Sequence, residues 1–166
     1  MQYQQDLLLL NIDQKDAGMV DAYQRYRGQI TKLRKSERSA SQDFKIRSLQ
    51  SSNPETCFNA IVSTRRIVHL IGHGVFLGKV QAKSVNGGSE LWSLKDFADS
   101  VEDSGIRLNL DCIILDSCFS AGLFWRKQLQ RIVPANRQML VIGSAYKLPF
   151  VQADFFFNEF YAELFS

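Results

Sequence analysis

Long hydrophobic runs are missing from this sequence of 166 residues. The apolar run from Leu7 to Leu10 is far too short to cross a bilayer, no basic region precedes it and no small-residue cleavage site follows it. The sequence therefore predicts a protein with neither a membrane span nor a targeting segment.

Cysteine and histidine are also scarce. The chain has three cysteines, at positions 57, 112 and 118, and two histidines, at positions 69 and 73. An odd and sparse set of cysteines argues against a disulfide framework and for a reducing compartment, so the cytoplasm is the predicted location. With no Cys-x-x-Cys pair and so few histidines, we expect no metal site and no other cofactor.

A large excess of charge of one sign is missing as well. The chain has 20 basic and 17 acidic residues, a net charge of +3, which by itself is too small to indicate nucleic-acid binding. One basic group is better explained as the solvated face of a helix than as a binding patch; its members are Arg25, Arg27, Lys32, Arg34, Lys35 and Arg38. Nucleic acid is therefore not an expected partner.

The composition is that of an ordinary globular domain. Hydrophobic residues make up 45% of the chain and charged residues 22%. A chain of this length buries roughly 68–70% of its unfolded surface without disulfides or metals. Residues 1–166 are therefore predicted to form a single domain with one core.

Apolar periodicity alternates between strand and helix along the chain. It predicts strands at 7–12, 44–49, 67–71, 108–116 and 138–144. The strand at 44–49 is expected to be half exposed and the strand at 138–144 to be buried. Helices are predicted at 16–35, 53–63, 93–105, 120–132 and 156–164. Residues 36–43 indicate an exposed connection, and 75–88 a small hairpin or an irregular flap. The alternation predicts an α/β fold, a mostly parallel sheet with helices on both faces.

Two stretches end predicted strands with residues that carry chemistry. LNLDCIILDSCFSAG, at 108–122, predicts a buried strand that leads at once into a helix, where the helix dipole would favour a thiolate at Cys118. RIVHLIGHG, at 66–74, predicts a strand that ends at His73 between two glycines. Because active sites in such sheets lie beyond the carboxyl ends of the strands, we expect His73 and Cys118 to form a catalytic pair.

This pair can meet the chemical needs of a cysteine protease. Cys118 is the predicted nucleophile, His73 the general acid or base, and the backbone N–H groups of Gly74 and Cys118 the oxyanion hole. Glycine at positions 72 and 74 lets the backbone approach a substrate closely.

The same residues resemble a known family. HLIGHG at 69–74 and LDSCFSAG at 115–122 are similar to the His-Gly and Asp-x-Cys blocks of the caspase-like cysteine peptidases, which include caspases, metacaspases and the bacterial CHAT proteases. The histidine lies 45 residues before the cysteine, close to the caspase spacing of about 50. The strand QMLVIGS and the later FFFNEFYAELF also resemble the end of CHAT domains.

The resemblance implies a single caspase-like, CHAT-like peptidase domain over 1–166 with a Cys/His dyad that cleaves protein substrates. It implies a regulated role, as in bacterial defence or cell death, with activation by a protein partner or by proteolysis. In metacaspases the aspartate two residues before the cysteine helps to bind a basic P1 side chain, so Asp116 implies cleavage after Arg or Lys. The loop that contains Ser144, Ala145 and Tyr146 is expected to shape the same pocket.

Family members usually continue past the Phe-Tyr helix to one more strand. The resemblance therefore implies a sheet that lacks an edge or receives one from another chain, with homo-oligomer formation through the sheet edge or the final helix.

Several alternatives stay open at the level of sequence. His69 lies inside a strand and is expected to be structural, and Cys57 and Cys112 are expected to be small core residues. An alternative role for the Asp116 side chain is to cap the following helix or to accept hydrogen bonds from loop N–H groups. The whole chain has an alternative as a catalytically silent caspase-like scaffold, which retention of both His73 and Cys118 disfavours.

Overall fold

The computed structural model describes residues 5–36, 44–75, 79–118, 120–135, 137–145 and 149–165. The strands are β1 (Gln5–Asn11), β2 (Ile46–Gln50), β3 (Thr64–Ile71), β4 (His73–Val75), β5 (Lys79–Lys83), β6 (Ser89–Ser93), β7 (Cys112–Asp116) and β8 (Leu140–Gly143). The helices are α1 (Ala17–Ser36), α2 (Pro54–Val62), α3 (Leu94–Asp103), α4 (Leu123–Ile132) and α5 (Phe150–Phe165). Most of the predicted connection at 36–43 lies outside the described residues.

The main sheet has five strands in the order β2-β1-β3-β7-β8, and every neighbouring pair is parallel. Helices connect most of the successive strands, because parallel neighbours need a crossover that returns the chain to the same end of the sheet. The predicted α/β fold with a mostly parallel sheet and helices on both faces is confirmed.

Each face of the sheet carries its own apolar core. Alternate side chains of β1, β3 and β7 point to opposite faces, since the strand repeat is two residues. Leu8, Val68 and Ile113 pack with α2, α3 and α4 on one face. Leu9 and Ile114 pack with α1 and α5 on the other. Burial on both faces explains why the middle of β1, from Leu7 to Leu10, and most of β7 are apolar.

The final helix, α5, buries one stripe of side chains at four-residue spacing, as predicted for an amphipathic helix. The stripe consists of Ala153, Phe157, Tyr161 and Phe165. Within the described ranges, no helix combines the length and the apolar character needed to cross a membrane.

A second, smaller sheet follows β3 and contains the predicted hairpin. Strands β4, β5 and β6 form an antiparallel sheet in that order. The turn between β5 and β6 places Gly87 at a φ of 90°, a conformation that glycine adopts without a steric penalty. The hairpin prediction for this region is confirmed.

Helix boundaries agree with the local signals at α2 and α3. The Asn53 side chain accepts a hydrogen bond from the Thr56 N–H, and Pro54 occupies the first helical position. Ser93 caps α3 by accepting from the N–H groups of Lys95 and Asp96. Gly105 follows the end of α3 with a φ of 66°, as expected for a helix stop.

Two predictions about the chain around Cys118 were wrong. The strand β8 is not buried: it lies at an edge of the sheet, and its residues are half-buried or exposed. The helix α4 does not begin at residue 120 but at Leu123, with Gly122 as a cap that offers no side-chain hydrogen bond. The reason is Ser120, whose buried hydroxyl bonds back to the carbonyls of Leu115 and Ser117 and holds a turn instead.

Candidate active site

The candidate site lies at the carboxyl ends of β3 and β7, which are neighbours in the sheet. Ile71 pairs with Asp116 at the last position of this ladder, and His73 and Cys118 each follow their strand by two residues. The Gly72 N–H then donates to the carbonyl of Asp116 at 3.3 Å. The fold therefore brings together the two segments that carry the predicted catalytic pair.

Glycine at position 74 is what allows these two segments to touch. A Cβ atom built on Gly74 would collide with the backbone of Cys118, at 2.7 Å from its carbonyl carbon and 2.8 Å from its nitrogen, and closer still to its carbonyl oxygen. These distances are shorter than those that real Cβ atoms show, so only glycine fits against the cysteine turn, by which we mean the residues between β7 and α4. The N–H groups predicted for the oxyanion hole thus belong to two segments in direct contact.

Cys118 differs from the other two cysteines in its surroundings. It is partly exposed, whereas Cys57 and Cys112 are buried, and all three are free thiols. Burial raises the pKa of the Cys57 thiol to about 11 and that of Cys112 to about 12, so both are inert core groups, as predicted. The Cys118 N–H donates to no other backbone group of the described residues.

The predicted dipole effect on Cys118 is weaker than expected. Because α4 begins at Leu123, the cysteine is separated from the first helical turn by the turn at 118–122. The field of a helix terminus acts mainly within about one turn. The helix dipole alone is therefore a weak source of stabilisation for a Cys118 thiolate.

His73 opens β4 and faces two carboxylates that sequence reasoning missed. Its Nε2 atom lies 3.2 Å from Oδ2 of Asp16 and 3.6 Å from Oδ2 of Asp13. Both aspartates follow β1, the strand next to β3. The available signal was their position just beyond the carboxyl end of a predicted strand, which is where ligands and catalytic groups collect in such sheets.

The loop after β1 holds these carboxylates in place. Oδ1 of Asp13 accepts from the N–H groups of Lys15 and Asp16, and Oδ1 of Asp16 accepts from the Met19 N–H in the first turn of α1. Partial burial raises the pKa of Asp16, but the Met19 N–H and His73 outweigh it and hold that pKa below its ordinary value. Asp16 is therefore the ionised partner of the imidazole.

Asp13 is the more deeply buried of the two aspartates that face His73. Its side chain has no exposed surface, and Oδ2 lies 3.3 Å from Nζ of Lys83 on β5. Oδ2 makes no hydrogen bond to any other described residue, so the lysine contact is an ion pair without hydrogen-bond geometry. A bridge between Asp13 and Lys83 ties β1 to the small sheet.

Asp116, the predicted substrate-binding residue, points to the face covered by α1 and α5. Its Oδ2 accepts from the Tyr26 hydroxyl at 3.2 Å and lies 3.8 Å from Nε2 of His69. His69 is fully buried, with Nδ1 2.6 Å from the Tyr161 hydroxyl, as expected for a structural histidine. Burial, and then the Asp116 charge, raise the pKa of the Tyr26 and Tyr161 hydroxyls above the ordinary value, so both stay neutral.

The predicted pocket loop after β8 is joined to the cysteine turn. The Ser144 N–H donates to Oγ of Ser120 at 3.0 Å, and the Ala121 N–H donates to the Ser144 carbonyl at 3.0 Å. A Cβ on Gly143 would lie 2.7 Å from Oγ of Ser120, so this contact also requires glycine. Ala145 is exposed, and the predicted contribution of Tyr146 lies outside the described residues.

Two cavities border the site without including it. One of about 540 Å³ lies under the small sheet, with a mostly apolar lining that includes Phe58, Trp92 and Trp125. The other, of about 780 Å³, lies between α4 and β8. Neither of these two cavities is lined by His73 or Cys118. Among the described residues, no group of three histidine, cysteine or acidic side chains is arranged to hold a metal ion.

The strand order also accounts for the position of the histidine side of the site. In a doubly wound sheet ligands bind where the chain reverses its direction of winding. Here β1 is flanked by β2 on one side and β3 on the other, so the reversal lies between β1 and β3, where Asp16 meets His73.

Comparison of the sequence with models of protein families and with curated proteins found no match.

Proposed function

We propose that this protein is a cysteine endopeptidase of the caspase-like class that cleaves protein substrates with a Cys118/His73 dyad. The observation that carries the proposal is the contact of Gly74 with the Cys118 backbone. It joins the histidine segment to the cysteine turn at the carboxyl edge of the sheet. Two chemically complementary residues that share this edge are the usual arrangement of an activated nucleophile and its base.

The chemistry follows from these positions. Sγ of Cys118 gives its proton to His73 and bonds to the scissile carbonyl carbon, while the N–H groups of Gly74 and Cys118 stabilise the oxyanion. The carbon–nitrogen bond then breaks as the imidazolium gives the proton to the leaving amine. A water molecule, deprotonated by His73, hydrolyses the thioester and restores the thiol.

The proposed preference for Arg or Lys at P1 rests on negative charge near the site. Asp116 lies in the strand that leads to Cys118, but its carboxylate is mostly buried and already accepts from Tyr26. Contact with a substrate cation therefore requires an approach between the cysteine turn and α1. Asp116→Asn is expected to reduce the ratio of kcat/KM for Arg over neutral P1 peptides, whereas Tyr26→Phe, which loosens the same carboxylate and keeps its charge, preserves the ratio.

The proposal extends to location and partners. Three free thiols in the chain fit a reducing compartment, so we place the protein in the cytoplasm. We also propose regulation by a protein partner or by proteolysis, as part of a defence or cell-death response.

A silent scaffold is the second candidate, and exposed apolar side chains favour it. Leu140 on the edge strand β8 and Val151, Phe155 and Phe156 on α5 are all exposed. Large exposed apolar groups often mark surfaces that bind another protein or a second copy of the chain. On this reading the fold is a binding module, and Cys118 has no catalytic use.

The two candidates are separated by a reactivity test that does not need the natural substrate. The protein is treated with a peptide that carries an electrophile after Arg or Lys, in parallel with a fluorogenic peptide panel. The peptidase predicts covalent labelling of Cys118, lost in His73→Ala and Cys118→Ala, together with turnover of the panel. Labelling at the level of a simple exposed thiol, unchanged in His73→Ala and without turnover, would establish the scaffold instead.

A further inference from the structure

We propose that Asp16, supported by Asp13, is a positioning residue that holds Nε2 of His73 and leaves Nδ1 for proton transfer with Cys118. The inference rests on the proposed peptidase function and adds a third member to its dyad.

The geometry of Asp16 suits this role. Its two oxygens have separate tasks: Oδ1 accepts from the Met19 N–H at 3.1 Å and Oδ2 faces His73 Nε2 at 3.2 Å. The hydrogen bond from the Met19 N–H therefore holds one oxygen of the Asp16 carboxylate, and the other oxygen, Oδ2, faces the His73 ring. A carboxylate on one ring nitrogen sets the tautomer and orientation of a catalytic imidazole and stabilises its charged form.

Asp13 supports the same arrangement from inside the fold. Its Oδ1 accepts from the Asp16 N–H at 2.9 Å, which fixes the position of the Asp16 backbone. Its Oδ2 is buried and lies between Nζ of Lys83 and Nε2 of His73, at 3.3 and 3.6 Å. A buried carboxylate oxygen that accepts no hydrogen bond from the described residues and faces an imidazole adds to the stabilisation of the imidazolium.

The charged groups near the ring have distinct positions. The Asp13 and Asp16 carboxylates lie at Nε2, and Lys83 lies beyond Asp13. Cys118 belongs to the segment whose backbone contacts Gly74, the residue after His73. In the proposed acylation the proton moves from Sγ of Cys118 to Nδ1 and then from Nδ1 to the leaving amine. Nε2 keeps its proton and its 3.2 Å contact with Asp16 throughout, so the carboxylate orients the ring and takes no proton.

Asp16→Asn is the informative variant. Asparagine caps a helix as well as aspartate does, so α1 keeps its start while the negative charge at Nε2 is lost. Asp21→Asn is the matched control, since it removes a carboxylate from an exposed position in the same helix. Thermal unfolding monitored by circular dichroism establishes that both variants fold.

The first measurement needs no substrate. The chain has two histidines, so the NMR signals of their ring nitrogens are simple to resolve, and His73→Gln assigns them. Asp16→Asn is expected to reduce the share of the His73 tautomer that carries its proton on Nε2 and to slow iodoacetamide alkylation of Cys118 at neutral pH by about tenfold. Asp21→Asn is expected to change neither.

The second measurement uses the peptidase reaction. Asp16→Asn is expected to lower kcat by about 10- to 100-fold with little change in KM, because the ring loses its orientation and the substrate keeps its contacts. If Asp16→Asn matches Asp21→Asn in the ring-nitrogen signals and in alkylation, the positioning role is wrong. If wild type cleaves no peptide while Asp16→Asn still alters both, the peptidase assignment is wrong and the positioning of His73 is upheld.

Discussion

At the scale of single residues, the site depends on positions where no side chain can be added. Gly74 is packed on the backbone of Cys118, and Gly143 on the side chain of Ser120. Both glycines serve close approach rather than an unusual dihedral angle, because the described residues place positive φ values only at Gly87 and Gly105. These two contacts bring three segments together near Cys118: the start of β4, the end of β8 and the cysteine turn between β7 and α4.

Gly74→Ala tests this packing directly. The added methyl group must push the cysteine turn away from β4, so we expect kcat/KM for peptide cleavage to fall by about 100-fold or more. Gly28→Ala is the matched control, since nothing lies within 4 Å of its Cβ position inside α1. That control is expected to keep full activity and to stabilise the fold by about 0.5–1 kcal/mol in urea unfolding. Equal activity of the two variants would show that the contact is unimportant.

The three thiols give a second residue-scale prediction. With DTNB at neutral pH, the native protein is expected to release about one equivalent, from Cys118, because burial raises the pKa of Cys57 and Cys112 to about 11 and about 12. In denaturant all three cysteines react. Cys118→Ala should abolish the fast native reaction, and rapid reaction of two thiols in that variant would contradict the packing around β7 and α2.

At the scale of elements, the segment between β7 and α4 shows what sequence could and could not predict. Apolar periodicity predicts a strand over 108–116 and a helix up to residue 132; the structure has a shorter strand, Cys112–Asp116, and a helix that ends at Ile132. The delayed start of α4 does not follow from this periodicity, because it results from a Ser120 hydroxyl that prefers strand and turn carbonyls to the helix. Local competition of this kind leaves no distinct pattern in the sequence.

The contacts of His73 and the exposure of β8 were missed for a different reason. Asp16 is distant from His73 in sequence and meets it only because β1 and β3 pair. The apolar run of β8 resembles a buried strand, yet its position at the sheet edge decides its exposure. Predicting either feature required the strand order, whereas the predicted catalytic pair required only strand ends.

Ser120→Ala is the prediction for this element. Its hydroxyl is shared between the carbonyls of Leu115 and Ser117 and accepts from the Ser144 N–H. Loss of these buried bonds is expected to reduce the free energy of unfolding by about 1–3 kcal/mol and to lower the alkylation rate of Cys118. Ser100→Ala, which removes an exposed hydroxyl bonded within α3, should have little effect on either measurement.

At the scale of the whole molecule, the amino-terminal edge of the sheet is held by charge. Asp111, just before β7, binds the guanidinium groups of Arg66 and Arg137 at 3.1 and 2.5 Å. Partial burial raises the pKa of Asp111, but Arg137 and Arg66 outweigh it, so that pKa lies below its ordinary value of 3.8. These pairs connect β3, β7 and the approach to β8 at the end of the sheet opposite the candidate site.

The pH dependence of stability follows from this direction of shift. A carboxyl group whose pKa is lower in the folded state contributes its full stabilisation above the unfolded value of 3.8, and loses it as pH falls through the folded value. Asp111→Asn should therefore lose less stability than wild type between pH 5 and pH 3, by up to about 1 kcal/mol. Urea unfolding at each pH measures this, with Asp103→Asn, an exposed carboxylate at the end of α3, as the control.

The strand order also determines when each part of the candidate site can come together during synthesis on the ribosome. Asp13, Asp16 and His73 all lie on segments that β1 and β3 bring together, and all three have left the exit tunnel once residue 75 has done so. Cys118 can join them only when β7 pairs with β3, and synthesis of the residues up to it, at 5–20 residues per second, adds roughly 2 to 9 seconds. Under the proposed function, a growing chain therefore has its histidine before its nucleophile, and we expect it to cut neither itself nor its neighbours before β7 is made.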